Sequence, residues 1–298
     1  MNNFERISTA IQGALQGELP TWRRPWRTLR ESGAVTIPVN ASSGRAYRGV
    51  NVCILWARQD ADMRYLTYRQ ALEAGGHVRK GEKGTQIVFW QKSSRKVRDE
   101  KGEEELRDSL LMRVYSVFNV SQCEGLKLPV RETVAPQPTP KTMAELYAKL
   151  GTRVEHGGDR AFFAPGPDFI GMPLPEAFTS ADAYAATALH ELVHWTGHEK
   201  RLAREFGKRF GDRAYAAEEL VAEIGAAFLC AALGIDSALE HHASYVQHWN
   251  QMLRDDSRAI ITAASRAQAA ADYLLGRIQH EPAAEEFDDQ VEELACAA

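Results

Sequence analysis

Residues Leu189-His-Glu-Leu-Val-His194 contain the pattern H-E-x-x-H, and it commits this part of the chain to a helix. Side chains four residues apart come within reach of one ion on a helix, whereas on a strand the same spacing holds them about 13 Å apart, so the spacing predicts a helix over about 181–196. Thr179-Ser-Ala-Asp182 has the S/T-x-x-D form of a capping box and supplies a start. On such a helix the imidazoles of His190 and His194 converge on one ion, at the roughly 2.0–2.1 Å that zinc prefers, with one position kept for water. Glu191 lies about 100° further round, placed to take a proton from that water as general base.

Two histidines leave such a site one protein ligand short. In an extended H-E-x-x-H-x-x-G-x-x-H motif the glycine would be Gly197, but Lys200 stands where the last histidine belongs. A protonated lysine has no lone pair to give. His198 is out of that register and is expected to be structural or to sit behind the ligands. The better source is the next helical stretch, Ala217-Glu-Glu-Leu-Val-Ala-Glu223. Leu220, Ile224, Ala227 and Phe228 form its apolar stripe, and Glu219 and Glu223 share another face. This assigns Glu219 to the metal and Glu223 to orienting a ligating imidazole through its second nitrogen. Glu218 is the weaker choice, and an exchange of Glu219 with Glu223 stays open. Zinc is the expected ion, with manganese or another divalent ion as the alternative. Oxyanion partners such as Tyr215, His241 or His242 have no placement from sequence. Asp168–Pro173 reads as a strand, either the edge that aligns a peptide by backbone pairing or a structural one.

The chain divides at 130–142, where Pro136, Pro138 and Pro140 favour an extended linker. This gives domains over 1–129 and 143–298. Ile87–Trp90 and Leu110–Phe118 are β-branched and aromatic, as strands are. The charged stretch 91–108 between them reads as a hairpin tip or loop, and Tyr68–Gly75 as a short helix closed by glycine. After the linker come a helix over 141–151, brief strands around Val154, Ala161–Ala164 and Phe169–Met172, and helices over about 181–196, 214–233, 236–254 and 257–279, with Gly234 as a C-cap. The fold class is α+β: a mixed first domain and a mainly helical second one with a small sheet.

The two halves differ in charge. Residues 1–135 hold 22 Lys and Arg against 15 Asp and Glu, and residues 136–298 hold 14 against 25. Basic and aromatic residues alternate in the first half, at Trp22, Arg23, Arg24, Trp26, Arg27, Tyr47, Arg48, Arg79, Lys80 and Lys83. A cationic groove with aromatic faces is how single-stranded DNA is held without sequence preference, so these are the candidate contacts. Gly76–Gly84 lacks the order of a P-loop. Four scattered cysteines without a CxxC pair predict reduced thiols. No apolar run is long enough for a membrane span, and the start lacks a secretion-signal pattern, so the expected location is the cytoplasm. Two-metal nuclease chemistry wants several clustered carboxylates, and only the helix glutamates are available.

The motifs together resemble the ArdC-type antirestriction proteins, whose N-terminal domain also begins TraC-type primases. The resemblance rests on Pro38-Val-Asn40, Tyr47-Arg-Gly-Val-Asn51, Val78–Gly84 and Val117-Phe-Asn-Val-Ser-Gln122. In the second half it rests on His190-Glu-Leu-Val-His-Trp-Thr-Gly-His198, Arg201-Leu202 and Glu218-Glu-Leu-Val-Ala-Glu223. It implies a single-stranded-DNA-binding first domain, a zincin-like metallopeptidase second domain and a plasmid-borne role protecting conjugative DNA from host restriction. It also carries the metal roles onto His190, His194 and Glu219 and the base role onto Glu191. The protein substrate, possible among restriction components, is unnamed by any motif. The rival expectation is a non-catalytic protein that coats single-stranded DNA and keeps a structural or vestigial metal site.

Overall fold

The computed structural model describes residues 36–58, 60–98, 104–128, 142–206, 213–235 and 258–279. The first half is built on a four-stranded sheet. Strands β1 (Val39–Asn40) and β2 (Arg64–Thr67) pair in parallel, and β2 pairs antiparallel with the end of the second strand of a long hairpin. That hairpin comprises β4 (Thr85–Arg98) and β5 (Glu104–Asn119), giving the order β1-β2-β5-β4. Register runs unbroken from Thr85↔Val117 to Arg98↔Glu104. The charged stretch 91–108, expected as a hairpin tip or loop, is therefore part of a hairpin whose strands run through most of its length. Its tip, 99–103, lies outside the described residues. A small ladder, β3 (His77–Val78) with β6 (Cys123–Glu124), closes one end.

Two short helices belong to this half. All seven residues of α1 (Val50–Trp56) are buried, and Gly49, with φ 55°, makes the turn into it. The Asn51 amide donates to the Val88 carbonyl at 2.7 Å and its oxygen accepts from the Val88 N–H at 2.8 Å. A side chain thereby satisfies a strand's backbone pair, as a neighbouring strand would. Helix α2 (Tyr68–Glu73) starts in a capping box of Thr67 and Gln70, and Gly75 follows it at φ 77°.

In the second half, α3 (Met143–Leu150) is capped by Thr142 and ended by left-handed Gly151. Strands β7 (Arg153–His156), β8 (Phe162–Ala164) and β9 (Phe169–Met172) form a sheet in the order β7-β9-β8. The Asp168–Pro173 strand is thus the middle one, parallel to β7 and antiparallel to β8. Both its edges are taken, which removes it as a peptide-aligning edge. Helix α4 (Ala181–Thr196) begins one residue later than the capping-box pattern predicts: the Ser180 hydroxyl accepts from the Ala183 N–H. Helices α5 (Arg213–Leu233) and α6 (Ala259–Gln279) complete the described fold. The helix expected over 236–254 lies outside the described residues.

One apolar core crosses both halves. It runs from Tyr47 and the α1 residues through Leu189, Leu192, Leu220 and Phe228 to Ala264 and Leu274. Trp56 meets Phe228 with ring centroids 5.7 Å apart, and Gln268 on α6 accepts from the Gly49 N–H at 2.9 Å. Cys53 is buried in this core, where loss of hydration pushes its thiol up to about 12, consistent with a structural thiol. No described helix is long and apolar enough to cross a membrane.

Candidate metal centre

Helices α4 and α5 pack closely because Gly225 has no Cβ: one placed there would lie 2.9 Å from Val193 Cγ2. That approach brings the α5 carboxylates to the α4 imidazoles. His190 and His194 turn their Nε2 atoms toward each other, 3.2 Å apart. The Glu219 carboxylate stands 3.6 Å from each of those nitrogens. One ligand atom from each of the three residues lies within 4.8 Å of the others, and all three side chains are buried. Burial alone would lower the basicity of His190, but Glu219, Glu223 and Glu191 outweigh it and hold its pKa up at about 9. Burial raises Glu219, and the two histidines outweigh that in turn, bringing it down to about 2. Two imidazoles and a carboxylate, concentrated and out of water, fit a divalent ion by donor chemistry and by charge.

The surrounding shell holds more than the sequence reading named. The carboxylate on the second nitrogen of His194 is that of Glu218, at 3.2 Å, the residue ranked weakest from sequence. Glu223 is buried beside His190 and acts on it through its charge. Arg204 was not anticipated at all. Its guanidinium donates to both oxygens of Glu218, at 3.0 and 2.7 Å, to the Thr196 hydroxyl and to the Val193 carbonyl. Burial pushes the Glu218 carboxyl up, but His194 and Arg204 prevail and hold it below the usual range. The segment after α4 must fold back to bring Arg204 there, and Gly197 permits it: a Cβ would sit 2.6 Å from Phe206 and 2.9 Å from the Arg204 guanidinium. Arg201 anchors the same segment by pairing with Asp168, donating to the Trp195 carbonyl and lying 3.8 Å over the Trp195 ring. His198 is structural, as expected: it is buried against Phe163 and accepts from the Lys200 N–H.

Glu191 is buried on the same helix. Tyr147 lies within reach of its charge; burial first, then the Tyr184 hydroxyl and Glu191, push that phenol up. Tyr147 and Tyr184 are 3.4 Å apart, and Tyr184 is 2.8 Å from His156 Nε2, a polar chain that spacing alone could not reveal. The Tyr215 hydroxyl donates to Glu219 one turn along α5. His241 and His242 lie outside the described residues.

The candidate nucleic-acid residues are dispersed. Tyr47 is buried, bonded to Asn40 and set edge-on to Tyr65, so it is a core residue and offers no stacking face. Arg48 pairs with Asp272 of α6, and Arg79 with Glu82 and the Ser121 carbonyl, which ties both to the fold. Lys80 and Lys83 are exposed. Trp22, Arg23, Arg24, Trp26 and Arg27 lie outside the described residues.

Two helices carrying H-E-x-x-H and a facing glutamate, beside a three-stranded sheet, define a zincin-like architecture. Residues 141–266 match the family described as zincin-like metallopeptidase, and residues 1–118 match the N-terminal domain of anti-restriction factor ArdC. The protein y4eC of Sinorhizobium fredii is 39% identical over 281 residues, 91% of each chain. A DNA primase TraC of Escherichia coli is 36% identical over 286 residues, 91% of this chain but 27% of the primase. That alignment is too long to be confined to the first half of this chain. The crystal structure of metal-free antirestriction protein ArdC from plasmid R388 superposes with a TM-score of 0.75 at 38% identity, covering 93% of this chain and 98% of that one. Its Mn(II)-bound form gives 0.74 at 35% identity. The chain belongs to the ArdC antirestriction family.

Proposed function

We propose that the protein is an antirestriction factor that binds single-stranded DNA through residues 1–129 and hydrolyses peptide bonds at a zinc centre in residues 143–298. The observation that carries the peptidase reading is the buried convergence of His190, His194 and Glu219, with Glu191 on the same helix. In this reading those three side chains hold the ion. A bound zinc ion supplies Lewis acidity toward a carbonyl oxygen and brings the pKa of water near 7. Glu191 accepts the proton of the attacking water on its carboxylate and returns it to the leaving amine. Glu218, kept ionised by Arg204, accepts the Nδ1–H of His194 and so presents Nε2 as the lone-pair donor. The Mn(II) form of the R388 protein supports occupation by a divalent ion, and the two imidazoles favour zinc. The strand that aligns a peptide falls to the sheet edges, since β9 is paired on both sides.

The DNA reading is supported by the basic excess in residues 1–135 and by the likeness to an ArdC N-terminal domain and to TraC primases. In this reading the protein acts in the cytoplasm of a cell receiving conjugative plasmid DNA, with a restriction component as the candidate protein substrate. Cleavage of a quenched peptide library by the zinc-loaded chain, compared with Glu191→Ala, tests the peptidase reading. Cleavage lost in the variant supports it; no cleavage by the parent chain, with protection of plasmid DNA intact in Glu191→Ala, replaces it with the DNA-coating reading.

A further inference from the structure

On a strand, residues two apart share a face. The register Ile87↔Tyr115, Phe89↔Arg113 and Gln91↔Leu111 therefore collects these six residues on one face of the β4–β5 hairpin. Ile87 is 1% exposed, but outward from it Phe89 is 49% exposed, Leu111 50% and Tyr115 44%. Arg113 is exposed among them. On the opposite face Val88 and Met112 are buried, so the hairpin turns one side to the core and presents aromatic rings on the other. The Phe89 and Tyr115 rings meet edge to face, with centroids 5.4 Å apart, which leaves π-surface of both open. No carboxylate stands among the described residues of this face, from Thr85 to Gln91 and from Leu111 to Asn119 at alternate positions.

We propose that this face, with Phe89 and Tyr115 as stacking surfaces and Arg113 as the phosphate partner, is where the protein holds single-stranded DNA. The inference rests on the DNA-binding reading above and gives it an address. A contiguous aromatic patch left in water marks an interaction site. Its pairing with a cation and no acid, in the half of the chain with the basic excess, matches a polyanion with exposed π-faces. Duplex DNA keeps those faces within its own stack, so the single strand is the fitting form. The residues do not follow the tryptophan–arginine clusters that dominate the sequence, and they came into view only through strand register.

The test uses the full chain and a 5′-fluorescein-labelled oligo(dT), read by fluorescence anisotropy at fixed salt. Phe89→Ala with Tyr115→Ala should weaken binding by roughly tenfold or more, with an unchanged melting temperature because both side chains are exposed. The exchange Phe89→Tyr with Tyr115→Phe keeps both rings and should bind as the parent does. Arg113→Ala should lower the slope of log affinity against log salt by about one. A bromodeoxyuridine oligonucleotide should photo-cross-link to peptides containing Phe89 or Tyr115. Parent binding that the double alanine variant retains, with cross-links elsewhere, overturns this site and leaves the DNA reading standing. No binding by the parent chain overturns both.

Discussion

Glu218 and Glu219 adjoin in sequence and serve different partners: one accepts from Arg204 and His194, the other faces the Nε2 atoms of both histidines. Helical spacing put Glu219 and Glu223 on one face and left their exchange open; the structure brings Glu219 to His190 and His194. Which carboxylate backs His194 was not legible, because that depends on how α5 is rotated against α4. Arg204 was hidden for a related reason: it reaches the site through a fold-back of the chain that leaves no periodicity. Removing what supports a metal-binding imidazole commonly costs about 10–100-fold in metal affinity. Arg204→Ala and Glu218→Gln should both fall in that range in a zinc competition titration, and unchanged affinity in both would remove them from the site. Glu191→Ala should bind zinc as the parent does while losing roughly 10²–10⁴-fold in peptide cleavage.

Among the elements, α4 coincides with the range expected from H-E-x-x-H, since the metal geometry and an N-cap both demanded a helix there. Its cap moved from Thr179 to Ser180, a shift within the usual uncertainty of a helix end. Strand β9 was recognisable by composition, but its central position in the sheet was not, because pairing partners are non-local. The hairpin was legible only in part: charge suggested a hairpin tip or loop, and cross-strand register carries both strands much further into the charged stretch. The contact of α4 with α5 makes a sharp prediction at Gly225. Alanine there gains about 1 kcal/mol of helix propensity but overpacks against Val193, a cost of about 1–3 kcal/mol. Overpacking should win, so Gly225→Ala should unfold at lower denaturant concentration and bind zinc more weakly. Between β8 and β9, Asp168 sits at φ 51°, and its hydrogen bonds from Arg201 hold its carboxyl below the usual range against the pull of burial. A depressed carboxyl stabilises the fold above its unfolded value, near 3.9, and that contribution fades as pH falls through the folded value. Asp168→Asn, which tolerates the same backbone, should therefore lose stability at neutral pH and show a shallower decline in acid melting curves.

For the whole molecule, the linker and the charge split suggested two separate domains, and the chain does have a mixed first half and a zincin-like second half. Composition could not show that α1 is buried against α5 and α6, so that the halves share one core. Truncating a buried tryptophan costs about 3–5 kcal/mol, so Trp56→Ala should destabilise the second half as well as the first, as a single shifted unfolding transition. The central claim concerns the ion, and calorimetric titration of the metal-stripped full chain with zinc tests it most directly. One ion should bind per chain, with binding lost in His190→Ala and Glu219→Gln and retained in Glu191→Ala. Stoichiometric binding that survives both His190→Ala and Glu219→Gln would contradict the site described here.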